Sequence, residues 1–141
     1  MIEKVFVLLI FGAVGLGIEV IFTSASALFN KDERDRVRLF GYSSLWYLPL
    51  YAFALPLGMY YVQSGVGDFP LIVRGIIYAF LCQAGEFIAM GALHLLNGKS
   101  PSEADYLKSN RSIYGFTRWD FFPAFILLGL IFEYLVRHLL V

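Results

Sequence analysis

Four long apolar segments are the feature that most limits what this chain can fold into. They cover about residues 5–28, 44–63, 70–96 and 119–140. A helix of about 20 residues, rising about 1.5 Å per residue, crosses the hydrocarbon core of a bilayer. Charged residues make up only 16% of the chain, whereas soluble domains have roughly a quarter. The sequence therefore predicts an all-α integral membrane protein, a bundle of four transmembrane helices in a single domain over residues 1–141.

Three polar connections separate these segments. The middle connection, "SGVGDFP", is short and predicts that the second and third helices form an antiparallel hairpin. In the third connection Ser100, Pro101 and Glu103 are typical of a helix start, which predicts a short interfacial helix over residues 102–108. The first segment, followed by "SASA", also has an alternative interpretation as a secretory signal peptide. Its length favours a transmembrane helix.

The basic residues of the connections predict the orientation. Short cytoplasmic loops carry an excess of lysine and arginine, and the first and third connections hold most of these residues. Both termini are therefore expected on the non-cytoplasmic side. The acids of "DERD" in the first connection could ligate a metal, but a solvated, charge-balanced loop is favoured. The basic residues are Lys31, Arg34, Arg36, Arg38, Lys99, Lys108, Arg111 and Arg118.

Composition excludes several function classes. The chain has 11 basic and 11 acidic residues and a formal net charge of zero, so nothing indicates a nucleic-acid partner. The single Cys82 cannot form an internal disulfide. A di-iron site needs clustered histidines, whereas His94 and His138 are predicted at opposite faces of the membrane. No nucleophile motif is present, so we predict no enzyme, catalytic residue, metal site or cofactor.

Two glutamates interrupt the apolar segments near mid-membrane. Glu19 and Glu86 belong to helices one and three, which run parallel, so the two carboxylates are expected at one depth. An acid there costs about 2.5–3.5 kcal/mol on insertion scales and should face the bundle interior. Packing of the two helices through Gly12, Gly15, Gly75 and Ala79 would bring the acids together. At least one would then carry a proton, or the pair would hold a cation. A structural polar knot and a functional ion or proton site both remain open.

Other polar residues in the spans have local explanations. Gln83 and His94 lie on the same face of helix three as Glu86, which indicates either a proton relay or a hydrogen-bonded core with His94 at the interface. Glu133 has Arg137 four residues later, the spacing of a helical ion pair near the outer end of helix four.

Aromatic residues and prolines shape the second helix. Trp46 and Tyr47 at its start are typical of the aromatic belt at a membrane surface. Pro49 and Pro56 lie seven residues apart and predict a bend.

Four motifs together resemble a known family. "GLGIEVIFTSA", "GYSSLWYLPLY", "RGIIYAFLCQAGEF" and "LIFEYLVR" occur in the order found in the CmpB family of type-IV ABC-transporter membrane proteins, which has small four-span animal relatives without an assigned activity. The third connection departs from the family, since "PSEADYLKSNRSIYGFTRW" replaces its usual tryptophan-aspartate-tyrosine element. The resemblance implies a four-helix membrane fold and a motif set that comprises Glu19, Glu86, Glu133, Arg74, Trp46 and Tyr51.

Two functions follow from these features. In the first, the chain is an accessory or permease-like subunit that packs against partner chains, and its intramembrane glutamates are structural. In the second, Glu19 and Glu86 handle or transport a proton or cation. Four helices make a thin wall around any pathway, so a homo-oligomer or a larger membrane complex is expected in either case. The bilayer itself is the other predicted partner.

Overall fold

The computed structural model describes residues 2–29 and 37–141. The prediction of an all-α chain is confirmed. Its helices are α1 (Ile2–Ala27), α2 (Leu55–Val66), α3 (Leu71–Asn97), α4 (Glu103–Tyr106) and α5 (Phe122–Leu139). Four stretches of the described residues are long and apolar enough to cross a membrane, and we call them spans 1 to 4: Glu3–Ser26, Leu45–Val66, Leu71–Asn97 and Trp119–Leu139. These bounds lie within a few residues of the apolar segments named above. The basic and acidic residues of the first connection at 31–36 lie outside the described residues.

Span 2 is irregular at its first half. A 3₁₀ turn at Leu45–Tyr47 leads into a π-helical segment at Leu50–Ala54, and only then does α2 begin. The backbone N–H of Leu55 donates to the carbonyl of Leu50, five residues back. Pro56 follows directly and has no N–H to donate, so regular α-helical bonding cannot be made there. The backbone forms a π segment there instead. The bend of this helix stays a prediction from Pro49 and Pro56.

Span 1 packs against this irregular part of span 2. A side chain at Gly12 would meet Leu48, and one at Gly15 would overlap the ring of Tyr51. The two glycines therefore let span 2 approach the backbone of α1 closely. Phe11, which is fully buried, lies on the same helix with its ring centroid 5.6 Å from that of Phe132 in α5.

Spans 3 and 4 form the most extensive helix pair. A Cβ atom at Gly75 would lie 2.8 Å from Cγ2 of Ile126. On the other helix, a Cβ atom at Gly129 would overlap the side chain of Tyr78, which is fully buried. Small residues on both helices thus allow their backbones to approach.

The predicted packing of helices one and three through their glycines is wrong. Gly12 and Gly15 of α1 face span 2, whereas Gly75 of α3 faces span 4. A glycine shows that some neighbour comes close, but its spacing does not tell which neighbour. The middle connection, by contrast, joins Val66 to Leu71 as tightly as expected.

Residues 98–118 form a small ordered element that we call the cap. It contains α4 and a two-stranded antiparallel hairpin, β1 (Ser112–Ile113) and β2 (Thr117–Arg118). Three residues, 114–116, join the paired residues Ile113 and Thr117. Tyr114 and Gly115 have positive φ angles of 55° and 78°, and the backbone N–H of Phe116 donates to the carbonyl of Ile113, so the loop contains a tight turn. The side chain of Glu103 accepts a hydrogen bond from the backbone N–H of Ser100. The short helix of the third connection is present, but α4 is only one turn long and Ser102 precedes it, so the expected start with Ser100 as the cap is wrong.

Candidate functional site

An open cavity of about 660 Å³ lies among spans 1, 2 and 4 and the cap. We call it the acidic cleft, because Glu19, Glu86, Asp105 and Asp120 all line it. One end is bordered by residues of the first and third connections, including Tyr42 and Asp105, and the cavity extends inward to Glu86 and Leu128. The fold thus brings the glutamates of spans 1 and 3, Glu19 and Glu86, to one cavity, although their helices do not pack through the expected glycines.

Glu86 is buried and accepts three hydrogen bonds from hydroxyl groups. Its Oε1 atom accepts from Tyr47 at 3.2 Å and from Tyr106 at 2.8 Å. Its Oε2 atom accepts from Thr117 at 2.7 Å. A carboxyl group accepts hydrogen bonds at both oxygens, so all three hydroxyl donors are satisfied by this one side chain. These donors come from span 2, from α4 and from β2, so Glu86 is one of the points where the cap is joined to the bundle.

Glu19 is half-buried and has fewer partners. Its Oε2 atom accepts a hydrogen bond of 2.7 Å from the hydroxyl of Ser43 in the first connection. One turn later, Oγ1 of Thr23 lies 3.0 Å from the carbonyl oxygen of Tyr42 and accepts from the backbone N–H of Tyr42 at 2.8 Å. The end of the first connection is therefore held against α1 beside the carboxylate. Glu19 keeps acceptor capacity free for a ligand.

Among the described residues that line the cleft, acidic side chains outnumber basic ones. The guanidinium of Arg118 is paired with Asp120, with Nε 3.0 Å from Oδ1. Asp105 accepts a 2.7 Å hydrogen bond from the hydroxyl of Tyr42 and lies 3.5 Å from Nζ of Lys108. Within residues 2–29 and 37–141, neither Glu19 nor Glu86 forms an ion pair with a lysine or arginine. The cleft therefore has an excess of acid at its inner end.

Aromatic rings form much of the cleft wall. Tyr47 and Tyr51 are stacked with ring centroids 6.0 Å apart. The guanidinium carbon of Arg118 lies 4.4 Å from the centroid of Phe121, so one ring of this wall already contacts an organic cation. Burial and Asp105 raise the pKa of Tyr42 to about 12, and the hydroxyl therefore stays neutral as a donor. Burial also raises the pKa of Tyr106 above its ordinary value.

A second cluster of charges lies at the opposite ends of the spans. Glu133 is buried, and its Oε1 atom lies 3.1 Å from Nε of Arg74 and 2.7 Å from Nη2 of Arg137. The pair with Arg137 has the geometry expected from the sequence. Arg74 comes from span 3 and also donates to the carbonyl of Phe69. Arg74 and Glu133 therefore connect spans 3 and 4 and the tight turn before α3. The i to i+4 spacing of Glu133 and Arg137 did not indicate this contact between spans.

The other residues of the predicted site are dispersed. Gln83 is buried and donates to the carbonyl of Arg118 in β2, at 3.0 Å. His94 lies eight residues after Glu86 on the same helix. Its Nδ1 atom is 2.9 Å from Oε1 of Glu103 in the cap. Trp46 is exposed, as expected of a belt residue.

Tyr47 and Tyr51 are both buried. Tyr51 packs on Gly15 and lines the cleft. The interpretation of Tyr47 as a belt residue is wrong, because its hydroxyl is turned inward to Glu86. The irregular start of span 2 places the ring inside the bundle.

Three hydroxyl donors to Glu19 and Glu86 were missed by sequence reasoning: Ser43, Tyr106 and Thr117. All three lie in connections between spans, where hydropathy carries no signal about which residues turn inward. The short helix predicted in the third connection was the one available indication that residues of a connection turn inward, because an amphipathic helix packs one face on its neighbours. In the part of the chain that the structure describes, no group of three or more histidine, cysteine or acidic residues could hold a metal ion.

Comparisons of the chain with protein-family models, with curated proteins and with solved structures found no match. The resemblance to the CmpB family therefore stays a prediction from the four motifs.

Proposed function

We propose that the chain is a multi-pass membrane protein that binds a monovalent cation between Glu19 and Glu86, in exchange with protons. The single observation that carries this proposal is that two carboxylates of different spans line one open cavity. A monovalent cation needs no cluster of strong metal ligands. Carboxylate and hydroxyl oxygens, together with aromatic faces, are suitable partners for it.

The size and position of the cleft support binding in a membrane setting. Its volume of about 660 Å³ falls in the range of about 300–1,000 Å³ typical of small-molecule sites. Its inner end is formed by apolar and acidic residues of the spans, and its outer end by the connections. A bound cation would therefore pass from the polar end of the cleft toward mid-membrane, which is the first half of a transport path.

A flux experiment tests this proposal. The full chain is reconstituted into liposomes that enclose a pH-sensitive dye, and a gradient of tetramethylammonium is imposed. We expect a cation-dependent pH change that is lost in Glu19→Gln and in Glu86→Gln. Glu3→Gln is the matched control, because Glu3 is an exposed acid on the same helix as Glu19. Equal flux in all three variants would contradict the proposal.

The hydrogen bonds of Glu86 favour a second candidate function. Because this carboxylate is satisfied by three hydroxyls and Glu133 by two arginines, both acids serve as structural ties. In this alternative the chain is an accessory or permease-like subunit that packs against partner chains. A stable hetero-complex after purification, with no flux by the isolated chain, would support it.

The membrane orientation belongs to the same proposal. The arginines and lysines of the first and third connections favour an orientation with the cleft opening on the cytoplasmic side and both termini on the other side. Reporter fusions at each terminus test this orientation. A cytoplasmic signal from both fusions would contradict it.

A further inference from the structure

A second cavity shares a wall with the acidic cleft. It has a volume of about 170 Å³ and lies between spans 2 and 3. We call it the apolar slot, because its own lining is almost entirely aliphatic. Leu50, Leu55, Leu81, Cys82 and Ile88 are among its lining residues.

Five residues line both cavities: Tyr47, Tyr51, Glu86, Phe125 and Leu128. The wall between the cavities is therefore one side chain thick. Glu86 stands in this wall, with its carboxyl group hydrogen-bonded to hydroxyls of the cleft side. A ligand that reaches Glu86 from the cleft meets the apolar slot directly behind it.

The irregular backbone of span 2 gives the slot its room. Leu50 and Ala54, the two ends of the π segment, both line it. A π turn adds a residue to the helix and is frequent at functional sites. Gly85 of α3 lies across the slot and has no side chain. A Cβ atom at this position would lie 3.5 Å from Cδ1 of Leu50, which is an ordinary van der Waals contact. The slot is thus a space that the backbones of both spans leave open.

The slot also reaches the outer surface of the bundle. Ala54, Ala84 and Ile88 line it and are exposed. An apolar group of a ligand can therefore occupy the slot without the buried core having to open. For comparison, an engineered apolar cavity of about 150 Å³ in another protein binds benzene. A space of about 170 Å³ is therefore suited to one aromatic ring or a short branched alkyl group.

We propose that the ligand of the cleft is a small organic amine or quaternary ammonium ion that carries one apolar group. Its cationic nitrogen lies between Glu19 and Glu86, against the rings of the shared wall, and its apolar group enters the slot past Tyr47 and Tyr51. An alkali-metal ion would leave the slot unused. A lipid acyl chain is longer than the slot, so the ligand is a free amine and not a lipid headgroup. This inference rests on the proposed function, because it needs the cation at the two glutamates.

Calorimetric titration of the full chain in a non-ionic maltoside detergent tests the inference. The probes are tetramethylammonium and benzyltrimethylammonium, which share a cationic head and differ by one phenyl ring. We expect benzyltrimethylammonium to bind at least about tenfold more tightly. Ala84→Phe fills the slot from its exposed rim and should reduce this preference to about threefold or less, with tetramethylammonium binding unchanged. Ala92→Phe is the matched control, since Ala92 is exposed on the same helix and lines neither cavity.

The outcomes separate this inference from the proposed function. Equal affinity for the two probes in the wild-type chain would overturn the slot as a binding site and leave the carboxylate pair as the cation site. Tighter binding of dihexanoylphosphatidylcholine than of benzyltrimethylammonium would overturn the free amine in favour of a lipid headgroup. Binding of neither ammonium probe would overturn both proposals together.

Discussion

The hydroxyl of Tyr106 donates a hydrogen bond of 2.8 Å to Oε1 of Glu86. Tyr106 is the last residue of α4 in the cap, and Glu86 lies in α3, so this bond joins a short helix outside the spans to a carboxylate within them. Thr117 of β2 makes the second bond from the cap to the same carboxyl group. Glu86 therefore makes two of the contacts that hold the cap over the cleft.

Tyr106→Phe should loosen the cap while the spans stay folded. The change removes one hydrogen bond to a carboxylate, which contributes about 1.5–3 kcal/mol. We expect faster amide exchange in residues 99–117 and little change in residues 122–139, measured by hydrogen–deuterium exchange and mass spectrometry. Tyr114→Phe is the control, because that side chain is 79% exposed. The same exchange rates in the two variants would show that the bond does not hold the cap.

Replacements of Glu86 should separate loss of charge from loss of hydrogen bonding. Glu86→Leu leaves the hydroxyls of Tyr47 and Thr117, both buried, without an acceptor. Each unsatisfied buried group costs about 1–3 kcal/mol, so we expect a loss of about 3 kcal/mol in the free energy of unfolding. Glu86→Gln keeps one oxygen acceptor and should cost about 1 kcal/mol. Denaturant unfolding in detergent gives both values, and a leucine variant as stable as the glutamine variant would disprove this role.

The bridge at Glu133 should contribute more than a surface ion pair. Glu133→Gln leaves Arg74, whose side chain is only 19% exposed, without its carboxylate. Breaking a buried pair costs about 3–5 kcal/mol, and partial exposure of the guanidinium lowers our expected loss to about 2–3 kcal/mol. Arg137→Gln, at a side chain 43% exposed, is the control and should cost about 1 kcal/mol or less. Similar losses in the two variants would mean that Glu133 has only a local partner.

The start of α4 should depend on pH through Glu103. The backbone N–H of Ser100, followed by His94, lowers the pKa of this carboxyl below its ordinary value of 4.5. A lowered pKa in the folded chain means that the contact stabilises α4 above about pH 4.5 and is lost as the pH falls through the lowered value. The amide resonance of Ser100 should therefore titrate below pH 4.5. In Glu103→Gln this titration should disappear, and its persistence would assign the effect to another group.

The four spans could be predicted because hydropathy is a property of each segment alone. The breaks in span 2 were also indicated, since proline lacks the N–H that a regular helix needs at Pro49 and Pro56. The cleft could not be predicted in the same way. Tyr106 and Thr117, which donate to Glu86, lie 20 and 31 residues further along the chain. Only tertiary packing brings such residues together.

The packing partners of the glycines could not be predicted from the sequence either. The sequence shows small residues on α1 and α3, but these residues are compatible with any close neighbour. Arg74 likewise reaches Glu133 across 59 residues, whereas the partner four residues away was visible as a helical spacing. Local contacts were therefore predictable, and contacts between spans were not.

Cation binding by the two glutamates is the central claim, and one titration tests it most directly. Tetramethylammonium is titrated into the full chain in maltoside detergent at pH 8 and at pH 6, with Glu19→Gln, Glu86→Gln and Glu3→Gln in parallel. The account predicts binding that weakens at the lower pH, as protons compete for the carboxylates, and that is lost in both cleft variants but kept in Glu3→Gln. Binding of equal affinity in all variants, or at both pH values, would contradict it.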